Sequence, residues 1–150
     1  NNPNVSFGID NQSISINHRK YIVYGNNLIG FTHGDGAKDK DLAHLMQHEA
    51  REMWGKTKYA YIYTHHTHHA DRKFHSAGKK TQIEKDRIGF TVLAPSIHRE
   101  DDKGVYVETV RSPSPADGWH ARNGYVNRPA IEAFIHNDVE GQVARLTVHF

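Results

Sequence analysis

Cysteine is absent from all 150 residues, which excludes a disulfide framework and any thiolate-held metal and suits a reducing, cytosolic (cytoplasmic) setting. Any metal bound here must be held by nitrogen and oxygen. No run approaches the roughly 18 apolar residues that a membrane-crossing helix requires, and the first residues do not read as a signal peptide, so no membrane partner is expected. A strong excess of one charge is lacking too. The net charge is +2, which neither demands nor forbids a nucleic-acid partner. An initiator methionine is also missing. Asn1-Asn2-Pro3-Asn4 reads as the interior of a longer chain, and a fragment or processed product is expected.

What the chain does have is one domain's worth of length. The hydrophobic set makes up 37% and charged residues 24%, enough for one compact core with long polar loops around it. Histidine is abundant at 13. Four of these fall in the stretch Tyr59-Ala60-Tyr61-Ile62-Tyr63-Thr64-His65-His66-Thr67-His68-His69. Uncharged aromatic and β-branched residues run from 59 to 64, as in a central strand covered on both faces. The histidines arrive where the strand runs out, and in open α/β sheets that carboxyl-end crevice is where ligands sit. Imidazole is the commonest metal-binding side chain. His66 and His68 are two apart, so on an extended chain they point the same way. The other reading is a solvated loop or an adventitious metal binder.

Upstream, 13–16 and 20–24 alternate apolar and polar positions, Gly25-Asn26-Asn27 reads as a tight turn, and 28–32 is the third strand. It ends in His33-Gly34-Asp35-Gly36, either a simple turn or a compact polar tip able to approach a ligand closely. Asp39 or Asp41 is expected to cap a helix running to about Trp54 and ended by Gly55. Leu42, Leu45, Met46, Ala50, Met53 and Trp54 recur at helical spacing as its buried face. His44 and His48 are four apart, but with Glu49 adjoining the HExxH order is not met, so they read as surface histidines. Residues 70–87 are polar and basic and read as a solvated loop, with approach to an anionic substrate as the alternative. Strands follow at 88–93 and 105–110. Residues 111–120 form an irregular loop holding Trp119 and His120. A hairpin of 130–136 and 142–150 closes the chain.

With His33-Gly34-Asp35 and His66-Thr67-His68 both at strand ends, the chain resembles the C-terminal half of a calcineurin-like metallophosphoesterase, of the phage and bacterial DNA-repair exonuclease type. Those enzymes carry, in order, D-x-H, G-D, G-N-H-D, a lone H and G-H-x-H. This chain matches the last two blocks, and the likeness extends over 29–35, 54–59 and 117–125. It departs in two ways: His65 stands where the final block has glycine, and the first three blocks are absent. The resemblance implies a layered α/β sandwich of which residues 1–150 form the C-terminal portion. It implies hydrolysis of a phosphoester, such as DNA or a nucleotide, by two divalent ions, Mn, Fe or Zn, held about 3.5–4 Å apart. His33 and His66 would hold one ion and His68 the other. Asp35, His65, His69 and His120 would stand behind the ligands or face substrate. The missing N-terminal half would be a partner. A sandwich lacking one sheet's worth of partners would expose an apolar face and favour self-association. The rival reading is a non-catalytic interaction or nucleic-acid-binding module with vestigial histidines.

Overall fold

The computed structural model describes residues 13–16, 18–34, 36–65, 71–76, 81–85, 89–92, 103–114, 122 and 128–150. Among these the strands are β1 (Ser13–Ile16), β2 (Arg19–Tyr24), β3 (Asn27–Thr32), β4 (Tyr59–Thr64), β5 (Asp71–Ser76), β6 (Thr81–Lys85), β7 (Gly89–Val92), β8 (Gly104–Thr109), β9 (Ala130–Asn137) and β10 (Gly141–His149). The helices are α1 (Asp39–Glu49) and α2 (Arg51–Lys56). A large mixed sheet has the order β1-β2-β3-β4-β8-β5-β6, and a small antiparallel sheet the order β7-β10-β9. The chain is thus a layered, mixed α/β fold. No helix among the described residues is long and apolar enough to cross a membrane.

Alternation along the central strands builds the layers. Leu28 of β3, Ala60 and Ile62 of β4, and Val105 and Val107 of β8 are buried in one core with Leu42, Ala43 and Met46 of α1. The opposite parity, Ile29, Tyr61 and Tyr63, packs in a second core with Phe134 of β9. β4 is covered on both faces, as its uncharged run implies, and pairs in parallel with both β3 and β8.

The helical stretch differs from expectation. Ala50, at φ −105° and ψ 37°, bends it into two pieces, although the Ala50 N–H still reaches the Met46 carbonyl at 2.9 Å. The bend keeps Met53 and Trp54 against the core. No side chain caps the start of α1. Asp39 instead accepts from Lys73 of β5 at 2.7 Å. Gly55 lies inside α2 rather than ending it. The Lys103 ammonium closes that end: it donates to the Trp54 and Thr57 carbonyls and sits 4.2 Å over the Trp54 ring, as a cation at a helix C-terminus should. Burial pushes the Lys103 pKa down to about 8. His44 and His48 are exposed, in keeping with a surface role. Beside them Glu49 is clamped by Arg19 at 2.9 and 2.6 Å and accepts from the Tyr21 hydroxyl at 2.7 Å. The Arg19 hydrogen bonds hold the Glu49 carboxyl below its ordinary pKa.

The basic run also differs. Rather than one solvated loop, it contains β5 and β6, an antiparallel pair that extends the large sheet beyond β8. The reason lies in Arg72, which is 7% exposed. Its guanidinium stacks 4.2 Å over the Tyr106 ring and lies 3.9 Å from the buried Glu108 carboxylate. Arg145 of β10 meets the same carboxylate from the small sheet, and Glu132 of β9 stands 3.8 Å from Arg145. Charge therefore cross-links the two sheets inside the protein.

The sandwich is not short of a second sheet: the small sheet covers the tyrosine face of the large one. Its β9–β10 turn requires glycine at Gly141, at φ 86°, where a Cβ would run into the Tyr61 hydroxyl. The apolar face that is exposed lies on the outside of this small sheet, at Ile131, Ile135, Leu146 and Val148.

Removing one partner of a buried ion pair costs about 3–5 kcal/mol because the other charge is left uncompensated, whereas an exposed pair contributes about 0–1 kcal/mol. Glu108→Ala is therefore expected to lower the urea midpoint sharply. Glu52→Ala, which removes the exposed Lys56–Glu52 pair at 3.9 Å, should leave it nearly unchanged.

Candidate functional site

The carboxyl ends of β3, β4 and β8 reach the same edge of the large sheet, because the three run parallel. Phe31 is paired with Tyr63. One step further, the His65 N–H donates to the His33 carbonyl at 3.2 Å, so these two histidines stand side by side at the rim. Both are exposed. Burial and the neighbouring His33 lower the His65 pKa. On the other flank, the Val110 N–H donates to the Thr64 carbonyl at 2.8 Å, which carries the pairing to the end of β4.

Behind the rim, between the two sheets, lies a cavity of about 230 Å3. Ile29, Phe31, Val110 and Phe134 make its apolar wall, and Tyr63, His65, Glu132 and His136 its polar groups. Three residues of β9 face β4 in turn. Glu132, its side chain buried, acts electrostatically on His65. Next, Phe134 stacks on Tyr63 with centroids 4.4 Å apart. At the inner end, farthest from the rim, His136 meets the edge of the Tyr61 ring at 4.7 Å.

A chain of hydrogen bonds fixes the inner end. The Gln142 side-chain amide donates to the Tyr63 hydroxyl at 2.9 Å, and that hydroxyl lies 2.8 Å from His136 Nε2. A phenol oxygen can accept twice, so the direction of the Tyr63–His136 bond follows whichever ring nitrogen carries the proton. Burial, followed by the charge of Arg72, pushes the His136 pKa down to about 4, so the ring is neutral at pH 7. Burial raises the Tyr63 pKa, which keeps that hydroxyl protonated. Glu132 is held by three groups. It accepts from the Arg111 N–H at 3.0 Å and the Thr147 hydroxyl at 3.2 Å, with Arg145 nearby.

Of the residues expected to form a site, His33 and His65 are brought together. Asp35, His66, His68, His69 and His120 lie outside the described residues. No group of three or more His, Asp or Glu side chains able to hold a metal occurs among the described residues. Sequence reasoning missed Glu132 and His136. Their signal was parity: with Phe134 they occupy one face of β9, while Ile131, Ala133 and Ile135 occupy the other. The rule that puts apolar residues inside assigns these two faces the wrong way round, because the polar face is the one turned inward.

Searches against protein-family models, curated proteins and solved structures find no match for this chain.

A histidine whose folded pKa is below its unfolded value leaves stability intact above the unfolded pKa and removes it as pH falls, since the unfolded chain takes up the proton first. With His136 near 4 when folded and 6.5 as its ordinary value, this loss falls between about pH 6.5 and 4. It amounts to about 2–3 kcal/mol across that window. His136→Gln is expected to flatten the stability-versus-pH curve there by about one proton, measured by urea unfolding at a series of pH values.

Proposed function

We propose that the chain is the C-terminal part of a metal-dependent phosphoester hydrolase of the metallophosphoesterase type. The observation that supports this reading is the parallel register that aligns His33 with His65 at the rim. The chain continues from there directly into His66, Thr67 and His68. His33 supplies an imidazole at the end of β3, and His66 and His68 supply two more immediately beyond β4. This all-nitrogen set suits Mn, Fe or Zn rather than Mg or Ca. The bound ions would supply Lewis acidity, neutralising phosphoryl charge and lowering the pKa of water.

The protein's own groups have separate tasks in this reading. The paired ends of β3 and β4 hold the backbones of His33 and His65 together through the hydrogen bond between them. His65, with its lowered pKa, is neutral near pH 7 and does not repel a cation at the rim. The aromatic wall behind keeps bulk water to one side of the reacting phosphoester. Carboxylate ligands belong to the sequence blocks that this chain lacks, so its own metal affinity is expected to be weak and its turnover slow.

A second reading, a non-catalytic binding module with vestigial histidines, draws on the absence of a three-ligand group among the described residues. Calorimetric titration with Mn²⁺ or Zn²⁺ separates the two. The hydrolase reading expects saturable binding, weakened at least about tenfold by either His33→Ala or His66→Ala. It also expects any hydrolysis of bis(p-nitrophenyl) phosphate to be abolished by EDTA. Absence of saturable binding would leave the module.

A further inference from the structure

We propose that the outer face of the small sheet is a dimer interface, which packs face to face on the same surface of a second copy of this chain. Along β9 and β10 the usual division of residues is reversed. A sheet covered on one side turns its apolar residues in and its polar ones out. Here Glu132, His136, Gln142 and Arg145 are turned inward, where they find their partners. The alternate positions are left to the outside: Ile131, Ile135, Leu146, Val148 and Phe150 are between 42% and 64% exposed. The strand register sets Ile131 beside Val148, Ala133 beside Leu146 and Ile135 beside Ala144, so apolar residues adjoin apolar ones across the pair. Among the described residues, no charged one occupies this face of β9 or β10.

Area is the next argument. With full residue areas of roughly 170–240 Å2, those fractions leave about 500 Å2 of apolar surface in water, near the upper limit for a patch on a chain that acts alone. Two such patches pressed together remove about 1,000 Å2 from these side chains, the size at which specific interfaces begin and at which association is reversible. A second copy is the occupant that also satisfies the charges. Exposed Arg128 stands just before β9, and exposed Asp138 and Glu140 just after it, at opposite ends of the patch. A two-fold axis between the sheets, perpendicular to the strands, runs the facing strands in opposite directions. It sets the acidic turn of each copy over the Arg128 end of the other, and brings Leu146, in the middle row, over its own counterpart. An anionic lipid surface is disfavoured, because it would meet the same Asp138 and Glu140. The two-fold uses the patch up, so the assembly closes at two. The patch lies on the far side of the small sheet from the cavity, and both copies keep the histidine rim open.

The test is sedimentation velocity on the full chain, with circular dichroism to check the fold of each variant. A reversible monomer–dimer equilibrium is expected between about 1 μM and about 1 mM. Leu146→Glu alters an exposed side chain and sets like charges against each other at the axis, so it is expected to raise the dimer dissociation constant at least about tenfold. Arg128→Glu and Glu140→Arg are each expected to weaken the dimer severalfold. The variant carrying both should recover it, because the facing charges are restored with their signs exchanged. The proposal is overturned if the chain stays monomeric throughout, if Leu146→Glu associates as tightly as the original sequence, or if the double variant does not recover. A monomer that sediments with phosphatidylcholine vesicles would also overturn it and assign the face to lipid. None of the substituted positions lies at the histidine rim, so these outcomes are independent of the metal titration.

Discussion

β4 is hydrogen-bonded in parallel on both sides, to β3 and to β8, and this pairing sets everything around it. Parallel neighbours deliver three carboxyl ends to one edge. They also leave no edge of β4 open to water, so each face must be covered by another layer. The side chains divide the work by parity. Small and aliphatic residues meet α1, while the tyrosines bring both ring area and hydroxyl groups to the small sheet. Those hydroxyls explain why a polar network can exist between the sheets: Tyr61 accepts from the Gln142 backbone N–H at 2.9 Å, and Tyr63 bonds the Gln142 side chain and His136.

The charges between the sheets follow the same logic. Glu108 stands on the tyrosine-facing parity of β8, where burial without partners would be prohibitive. Arg72 from one sheet and Arg145 from the other supply the partners. A buried ion network of this kind contributes less to net stability than its contacts suggest, but it discriminates between arrangements. A slip of one residue in β10 would move Arg145 to the outer face and strand Glu108. Gly141, pressed against Tyr61, guards the register at the other end of that strand.

Much of this was legible in the sequence. The uncharged run 59–64 announced a central strand, the helical spacing from Leu42 to Trp54 announced the helical layer, and the histidines after two strands pointed to the shared edge. What the pattern could not convey came from long-range partners. Arg72 reads as a loop cation until Glu108 and the Tyr106 ring, more than thirty positions away, are beside it. Lys103 ends a helix that finished nearly fifty residues earlier. β9 shows the converse: its alternation was readable, but which face turned inward was decided by Tyr63 and Arg145, not by hydrophobicity. The coarse layered α/β class was therefore readable from local sequence, whereas the composition of the cavity required the fold.

The strand order carries a consequence for how the chain assembles. β2 with β3, and β9 with β10, are close-range antiparallel pairs joined by tight turns, the sort of unit that closes within microseconds. β4 must wait for β8, whose partner residues lie some 45 positions along the chain, as Ala60↔Val105 illustrates. Loop closure of that length precedes any reward from contact, so non-local pairing sets the pace. The histidine rim, which exists only where β3 and β4 lie together, is accordingly absent from the early hairpins and arises only once the parallel strands have met.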